Sequence, residues 1–191
     1  MQKIVIFASG SGSNAEKIIL HFNKKSRANV VGIFTNNSNA KVIEKANKYN
    51  VPVVVFSKEE LNEGKVTVLI NQIAPDLIVL AGFLLKFPNE IIHAYPNQII
   101  NIHPALLPKY GGKGMYGMKV HQTILDNNEN ETGITIHYVN EHYDEGGIIF
   151  QKAIPIDDCC SPEEIAEKVH QLEHQHFPKV IERLLDDSII R

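Results

Sequence analysis

Asn101-Ile102-His103 closes an apolar run, Gln98-Ile99-Ile100, and is followed by Pro104 and Pro108. In an extended segment, residues two apart point to one face, so the amide and the imidazole can reach one substrate atom. The amide can donate to a developing oxyanion, and the imidazole titrates near neutrality. The two prolines stiffen the exit and oppose a helix there. Taken alone, the pair reads more readily as a strand end with a buried, hydrogen-bonded histidine and an asparagine turn.

A second group lies near the start of the chain. Ser9-Gly10-Ser11-Gly12-Ser13-Asn14 separates an apolar strand from a helix. The backbone N–H groups of Gly12, Ser13 and Asn14 at a helix start make a phosphate cradle, and Gly permits close approach. Gly10-x-Gly12-x-x-Ala15 also fits the dinucleotide fingerprint formally. That fingerprint requires a carboxylate near the end of the second strand, which here reads Thr35-Asn36-Asn37-Ser38. A nicotinamide cofactor is therefore disfavoured, and the loop stays open between a phosphate site and a tight turn. His170-Gln171-Leu172-Glu173-His174 matches a zinc-protease pattern. A zinc site would need a further ligand and a cleft, with little chain remaining, so no metal is expected. Asp144, in the polar loop 140–147 (NEHYDEGG), reads by itself as a solvated turn residue.

These groups need a scaffold, and the apolar pattern supplies one. Short strands are expected at Lys3–Ala8, Val30–Thr35, Val51–Phe56, Asp76–Ala81 and Ile99–Ile102. Helices are expected at Ala15–Phe22 (Ile18, Ile19 and Phe22 inward), Ala40–Tyr49, about Lys65–Ile73 and near Pro88–His93. Such alternation implies βαβ units, hence an α/β fold with a mainly parallel, doubly wound sheet and helices on both faces. The second half differs: a helix at Lys119–Asp126, strands at Thr132–Val139 and Ile148–Ile156, and a last helix at about Pro162–Leu185. Ser161 should cap that helix with Glu164 in the capping-box position. Four glycines between 111 and 118 read as a flexible flap or as a passive insertion.

At 191 residues the chain is long enough for one well-buried domain. Hydrophobic residues make up 43% and charged ones 21%, ordinary for a globular protein. The formal charge is −3 and no Lys/Arg cluster occurs, which speaks against nucleic acid and leaves small-molecule substrates. No apolar run suits a membrane span, and the N-terminus enters a strand at once without a signal-peptide pattern. Cys159 and Cys160, adjacent and alone, suggest neither a disulfide framework nor a metal knuckle. The expectation is a cytoplasmic protein, monomeric or homodimeric.

The whole string Asn101 to Gly112 (NIHPALLPKYGG) resembles the active-site segment of folate-dependent formyltransferases, N-x-H-P-S-L-L-P, with Ala105 in place of the usual Ser. The resemblance runs on through AGF (81–83), TGITIHYV (132–139), YDEGGIIFQ (143–151) and QLEH (171–174). With the opening G-x-G-S-N loop it is similar to the family branch that acts on glycinamide ribonucleotide. It implies a Rossmann-like domain over 1–191, with 1–100 a phosphate-binding βαβ half and 101–191 a catalytic and folate-binding half. The implied reaction moves a formyl group from 10-formyltetrahydrofolate, a co-substrate, to the amine of 5'-phosphoribosylglycinamide in purine biosynthesis, without a metal. A deformylase-like hydrolase and a non-catalytic phosphosugar-binding protein are the alternatives.

Residue by residue, the resemblance makes Asn101, His103 and Asp144 catalytic, with Asn101 and protonated His103 donating to the oxyanion and Asp144 holding the imidazolium. It gives Gly12, Ser13 and Asn14 to the substrate phosphate and Glu173 to the substrate amine. Folate falls to Leu84, Leu85, Lys86, Phe87, Asn101, His137, Val139 and Asn140. His137 also reads as a buried structural histidine. Leu85 stands where many members carry Arg. Near the third helix only Asn62 and Lys65 stand in for the family's Arg that meets the folate glutamate tail.

Overall fold

The first strand alternates its apolar side chains: Ile4 and Ile6 enter one core and Val5 and Phe7 another, all fully buried. A strand apolar on both faces must be covered on both. The rest of the fold follows from that requirement. In this computed structural model, residues 1–25 and 27–189 are described. Seven strands form one sheet: β1 (Gln2–Phe7), β2 (Ala28–Thr35), β3 (Val53–Val55), β4 (Leu77–Leu80), β5 (Ile99–His103), β6 (Glu131–Tyr138) and β7 (Ile148–Pro155). Their order is β3-β2-β1-β4-β5-β6-β7. The pairings from β3 through β5 are parallel, while β5–β6 and β6–β7 are antiparallel. The mainly parallel, doubly wound sheet expected from the sequence is the one observed.

Seven helices accompany the strands: α1 (Ser13–Phe22), α2 (Val42–Lys48), α3 (Lys58–Asn62), α4 (Lys65–Ile73), α5 (Asn89–Ala94), α6 (Met118–Asp126) and α7 (Pro162–Ile189). Side chains of α1, α2, α6 and α7 share one core with Ile4, Ile6, Ile100 and Ile102. Those of α3, α4 and α5 share the other with Val5, Phe7, Ile78 and Ile99. Phe7 centres the second core, its ring 5.0 Å from Phe34 and 5.0 Å from Phe87.

The expected elements occur with ends moved by one to a few residues. One helix, α3, has no counterpart in the sequence reading. Ser57 caps it by accepting from the Glu60 N–H while the Glu60 carboxylate accepts from the Ser57 N–H. This S-x-x-E box was available in the sequence but sits in a short polar stretch with little apolar period. The last helix also departs in detail. Ser161 Oγ accepts from the Glu164 N–H, but the Glu164 carboxylate accepts from the Cys160 N–H, one residue before the cap. Among the described residues no helix is long and apolar enough to cross a membrane.

The strand order reverses direction between β1 and β4, where a parallel sheet opens a crevice at its carboxyl ends. The loops leaving these two strands are stitched together. The Ser9 N–H donates to the Gly82 carbonyl at 3.0 Å, and the Leu84 N–H donates to Ser9 Oγ at 3.1 Å. The sheet therefore holds residues 9–14 and 81–87 side by side.

Candidate active site

β5 carries its odd-numbered side chains toward the second core. Ile99 is buried there beside Ile91 of α5. Two and four residues later, Asn101 and His103 instead line a cavity of about 420 Å³. One strand thus supplies a core residue and then two polar groups on the same face.

β6 runs antiparallel beside it and brings His137 opposite Asn101. Asn101 Nδ2 lies 3.1 Å from His137 Nε2. The other ring nitrogen of His137, Nδ1, faces the Tyr138 carbonyl at 2.8 Å and must donate to it, since a carbonyl only accepts. His137 Nε2 also lies 3.5 Å from Asp144 Oδ1, so this nitrogen sits between the Asn101 amide and the Asp144 carboxylate. The loop after β6 turns back over this pair because Gly146 lets the chain press against the Tyr138 carbonyl, where a Cβ would collide. Asp144, at φ 58°, returns its carboxylate to the strand. Its Oδ1 lies 3.5 Å from Asn101 Nδ2, its Oδ2 lies 3.5 Å from His103 Nδ1, and the Gly112 N–H donates to Oδ2 at 2.9 Å. The structure thus brings Asn101, His103, Asp144 and His137 into one cluster.

His103 is 3% exposed, and its Nε2 donates to the Tyr110 carbonyl at 2.7 Å. This leaves Nδ1, facing Asp144, as the position that takes up a proton. Burial pushes the His103 pKa below its ordinary value, and the opposing pull of Asp144 and the Tyr110 carbonyl does not overcome it. Burial therefore works against the protonated form of His103, and in the neutral form its one N–H is already engaged by the Tyr110 carbonyl. Burial works against ionisation of Asp144 as well. There the His137 ring, His103 and the Gly112 N–H outweigh it and hold the carboxyl below its usual range. Both shifts favour a carboxylate beside an uncharged imidazole.

Across the cavity, α1 begins at Gly12, whose φ of 67° and ψ of 23° are left-handed. A side chain there would meet Val42, 2.5 Å from its Cγ2, so the loop requires Gly for packing as well as for backbone conformation. No side chain caps α1. Its first N–H groups are available to an anion, aided by the helix dipole. Asn14 turns its side chain away from this terminus and donates from Nδ2 to Glu173 Oε2 of α7 at 2.8 Å. Glu173 is 5% exposed, and burial raises its pKa despite that bond and nearby His170. His174, the last residue of the zinc-like pattern, does not line the cavity. No group of three or more metal-ligating side chains forms among the described residues.

The opposite wall comes from the β4 exit and the loop after β6. Leu84, Leu85, Lys86, Phe87, Val139 and Asn140 all line the cavity. They do so in different ways. Leu84 is half exposed, whereas Phe87 is 5% exposed with its ring in the aromatic core, leaving chiefly its backbone to a ligand. The Asn140 Oδ1 is engaged by the His142 N–H. Gly112, Gly114, Met115 and Tyr116 border the same space.

Three groups went unnoticed in the sequence: the Tyr110 carbonyl, the Gly112 N–H and His121. Backbone groups carry no residue-type signature. His121 was legible only as one histidine on the apolar side of a helix, next to Val120 and Ile124.

The formyl transferase family pattern matches residues 2–181. The chain is 37% identical over 195 residues to a chloroplastic phosphoribosylglycinamide formyltransferase of Arabidopsis thaliana, covering 98% of this chain and 67% of the relative. It is 36% identical to the phosphoribosylglycinamide formyltransferase of Bacillus subtilis (strain 168), covering 97% and 95% of the two chains. The crystal structure of phosphoribosylglycinamide formyltransferase from Anaplasma phagocytophilum superposes with a TM-score of 0.89 at 28% identity, covering 97% of this chain and 88% of that one.

Proposed function

From the premise that this chain belongs to the formyl transferase family, we propose that it transfers a formyl group from 10-formyltetrahydrofolate to the amine of 5'-phosphoribosylglycinamide. The observation that carries the proposal is the juxtaposition, across one cavity, of an uncapped helix terminus and the Asn101–His103–Asp144 cluster. Residues 1–100 then supply the phosphate loop and 101–191 the reacting groups, with Leu84 to Phe87 of the first part joining the folate wall. The apolar side chains and open backbone of 84–87 suit a flat heterocycle, and Val139 extends that surface. The unpaired cysteines, Cys159 and Cys160, fit a reducing compartment such as the cytoplasm.

The chemistry follows from the charges. The amine nitrogen attacks the formyl carbon, a C–N bond forms, and the carbonyl electrons move onto oxygen. Asn101 offers an N–H to that oxyanion by giving up its long bond to Asp144. The amine, now cationic, loses its proton to Nδ1 of neutral His103, directly or through water. The resulting imidazolium lies against the Asp144 carboxylate, so the charge that burial opposes at rest is compensated when it appears. Collapse of the tetrahedral intermediate breaks the bond to the folate nitrogen, which takes the proton from the His103 imidazolium, directly or through water, and leaves as tetrahydrofolate, returning His103 to its neutral form. Glu173 faces the acceptor substrate.

The test is to incubate the protein with 10-formyltetrahydrofolate, with and without phosphoribosylglycinamide, and follow tetrahydrofolate. Release only when both are present is the expected result. Release without the acceptor would make the chain a hydrolase, and no release in either case a binding protein.

A further inference from the structure

The neutral His103 ring carries one proton, and two acceptors flank it. The Tyr110 carbonyl lies 2.7 Å from Nε2, and Asp144 Oδ2 lies 3.5 Å from Nδ1. A carboxylate is the stronger acceptor, so with equal access it would draw the proton onto Nδ1. Nδ1 would then have no lone pair left for a substrate proton. The nearer carbonyl holds the proton on Nε2 instead. Which nitrogen stays open is therefore set by how firmly that carbonyl is placed.

Tyr110 needs help to take this place. Its φ is 58°, a left-handed backbone that a bulky residue rarely adopts. The side chain supplies the hold. Its hydroxyl donates to Glu129 Oε1 at 2.8 Å and accepts from Asn127 Nδ2 at 3.0 Å. Lys109 Nζ donates to the same Glu129 oxygen at 3.0 Å. The Tyr110 hydroxyl, then Lys109, hold the Glu129 carboxyl below its usual range. Asn127 and Glu129 belong to the turn between α6 and β6. That turn is itself fixed, since the N–H groups of 127, 128 and 129 donate to the Thr123, Leu125 and Ile124 carbonyls of α6. One end of Tyr110 is thus tied to a firm turn, and its carbonyl reaches the histidine. Beyond it, Gly111 lets the chain pass close to Leu107 and Asp144, where a Cβ would lie 2.5 Å and 3.3 Å from their side chains. The Gly112 N–H then closes on Asp144.

We propose that Tyr110 is a positioning residue for His103: anchored through its hydroxyl to Glu129 and Asn127, it fixes the ring proton on Nε2 and keeps Nδ1 open to the proton of the acceptor amine. The kinetic consequence rests on the proposed function, whereas the placement of the ring proton does not.

NMR of the His103 ring nitrogens, recorded on the full chain above the titration of that ring, reads which nitrogen carries the proton. In the unaltered protein it should be Nε2. Tyr110→Phe keeps the ring and loses only the hydroxyl, and it should move the proton toward Nδ1. It should also lower kcat roughly 10- to 100-fold, the scale of one hydrogen bond to a charged group, with KM little changed. Glu129→Ala should reproduce both effects, and it carries the test if Tyr110→Phe does not fold. Glu129→Gln, whose amide oxygen still accepts from the hydroxyl, should keep the Nε2 proton and most of the turnover. A ring protonated on Nδ1 in the unaltered protein, or a proton that stays on Nε2 in Tyr110→Phe or Glu129→Ala, would overturn the inference, even if turnover fell. So would a proton that moves with kcat unchanged. A chain that transfers no formyl group yet shifts its His103 proton in Tyr110→Phe refutes the proposed reaction alone. Normal transfer with an unmoved ring proton refutes this inference alone.

Discussion

Asp144 holds its place through a left-handed backbone, a conformation that Asp and Asn tolerate better than most residues. Asp144→Asn therefore keeps both size and backbone while removing the charge. The His103 pKa is lowered mainly by burial, and Asp144 is the largest group pulling it up. Without that charge the pKa falls further, and the imidazolium formed during transfer loses its counter-charge. Turnover should drop by on the order of 10²–10⁴. His103, titrated by NMR, should lose its proton at a lower pH. Exposed Glu145, changed to Gln, is the control and should keep most activity. Near-normal turnover and an unmoved His103 titration in Asp144→Asn would dissolve the proposed pair.

At the level of elements, the start of α1 is the place to separate folding from binding. Gly12→Val is a poor probe, because its side chain would strike Val42 and strain a left-handed residue before any phosphate arrived. It should destabilise by several kcal/mol, in the range of overpacked and strained positions. Ser13→Asp is the informative change. A carboxylate in the first turn favours the helix by about 0.3–1 kcal/mol, yet it competes with the anion for the same N–H groups. The variant should melt no lower than the parent and lose phosphate affinity by calorimetry. The same comparison shows what was legible in the sequence. Strands apolar on both faces, and helices with clear apolar stripes, were readable because burial leaves a period. Short α3 was not, since only its cap marks it. Asn101 and His103 could be paired by spacing. Asp144 joined them only through resemblance, because nothing local in NEHYDEGG says that the loop folds back across the sheet. The downward pull on the His103 pKa was beyond sequence altogether, being set by burial that distant segments create.

For the molecule as a whole, the buried histidine of α6 makes stability fall in acid. A histidine whose folded pKa lies below its ordinary value stabilises the fold above that ordinary value, and this contribution is lost as pH falls. With His121 moved from 6.5 to about 4, roughly 2–3 kcal/mol should disappear between pH 7 and 4.5. Glu173, raised by burial, works in the opposite sense, becoming less costly as it protonates. Urea unfolding at the two pH values should show a smaller acid loss in His121→Gln than in the parent, and equal losses would contradict the assignment. The antiparallel β6–β7 pair has another consequence. It forms one margin of the sheet and leads into and out of the loop holding Asp144, while the parallel strands at the interior carry the α1 loop. Margins open more readily than interiors, on excursions that leave the rest folded. If the proposed roles of the α1 loop and Asp144 hold, the state next above the native one still grips an anion but has lost its proton-relay partner. Catalysis is then the property with the narrowest margin of safety, and an ageing or heated preparation becomes a silent competitor for its own substrate before it becomes an aggregate.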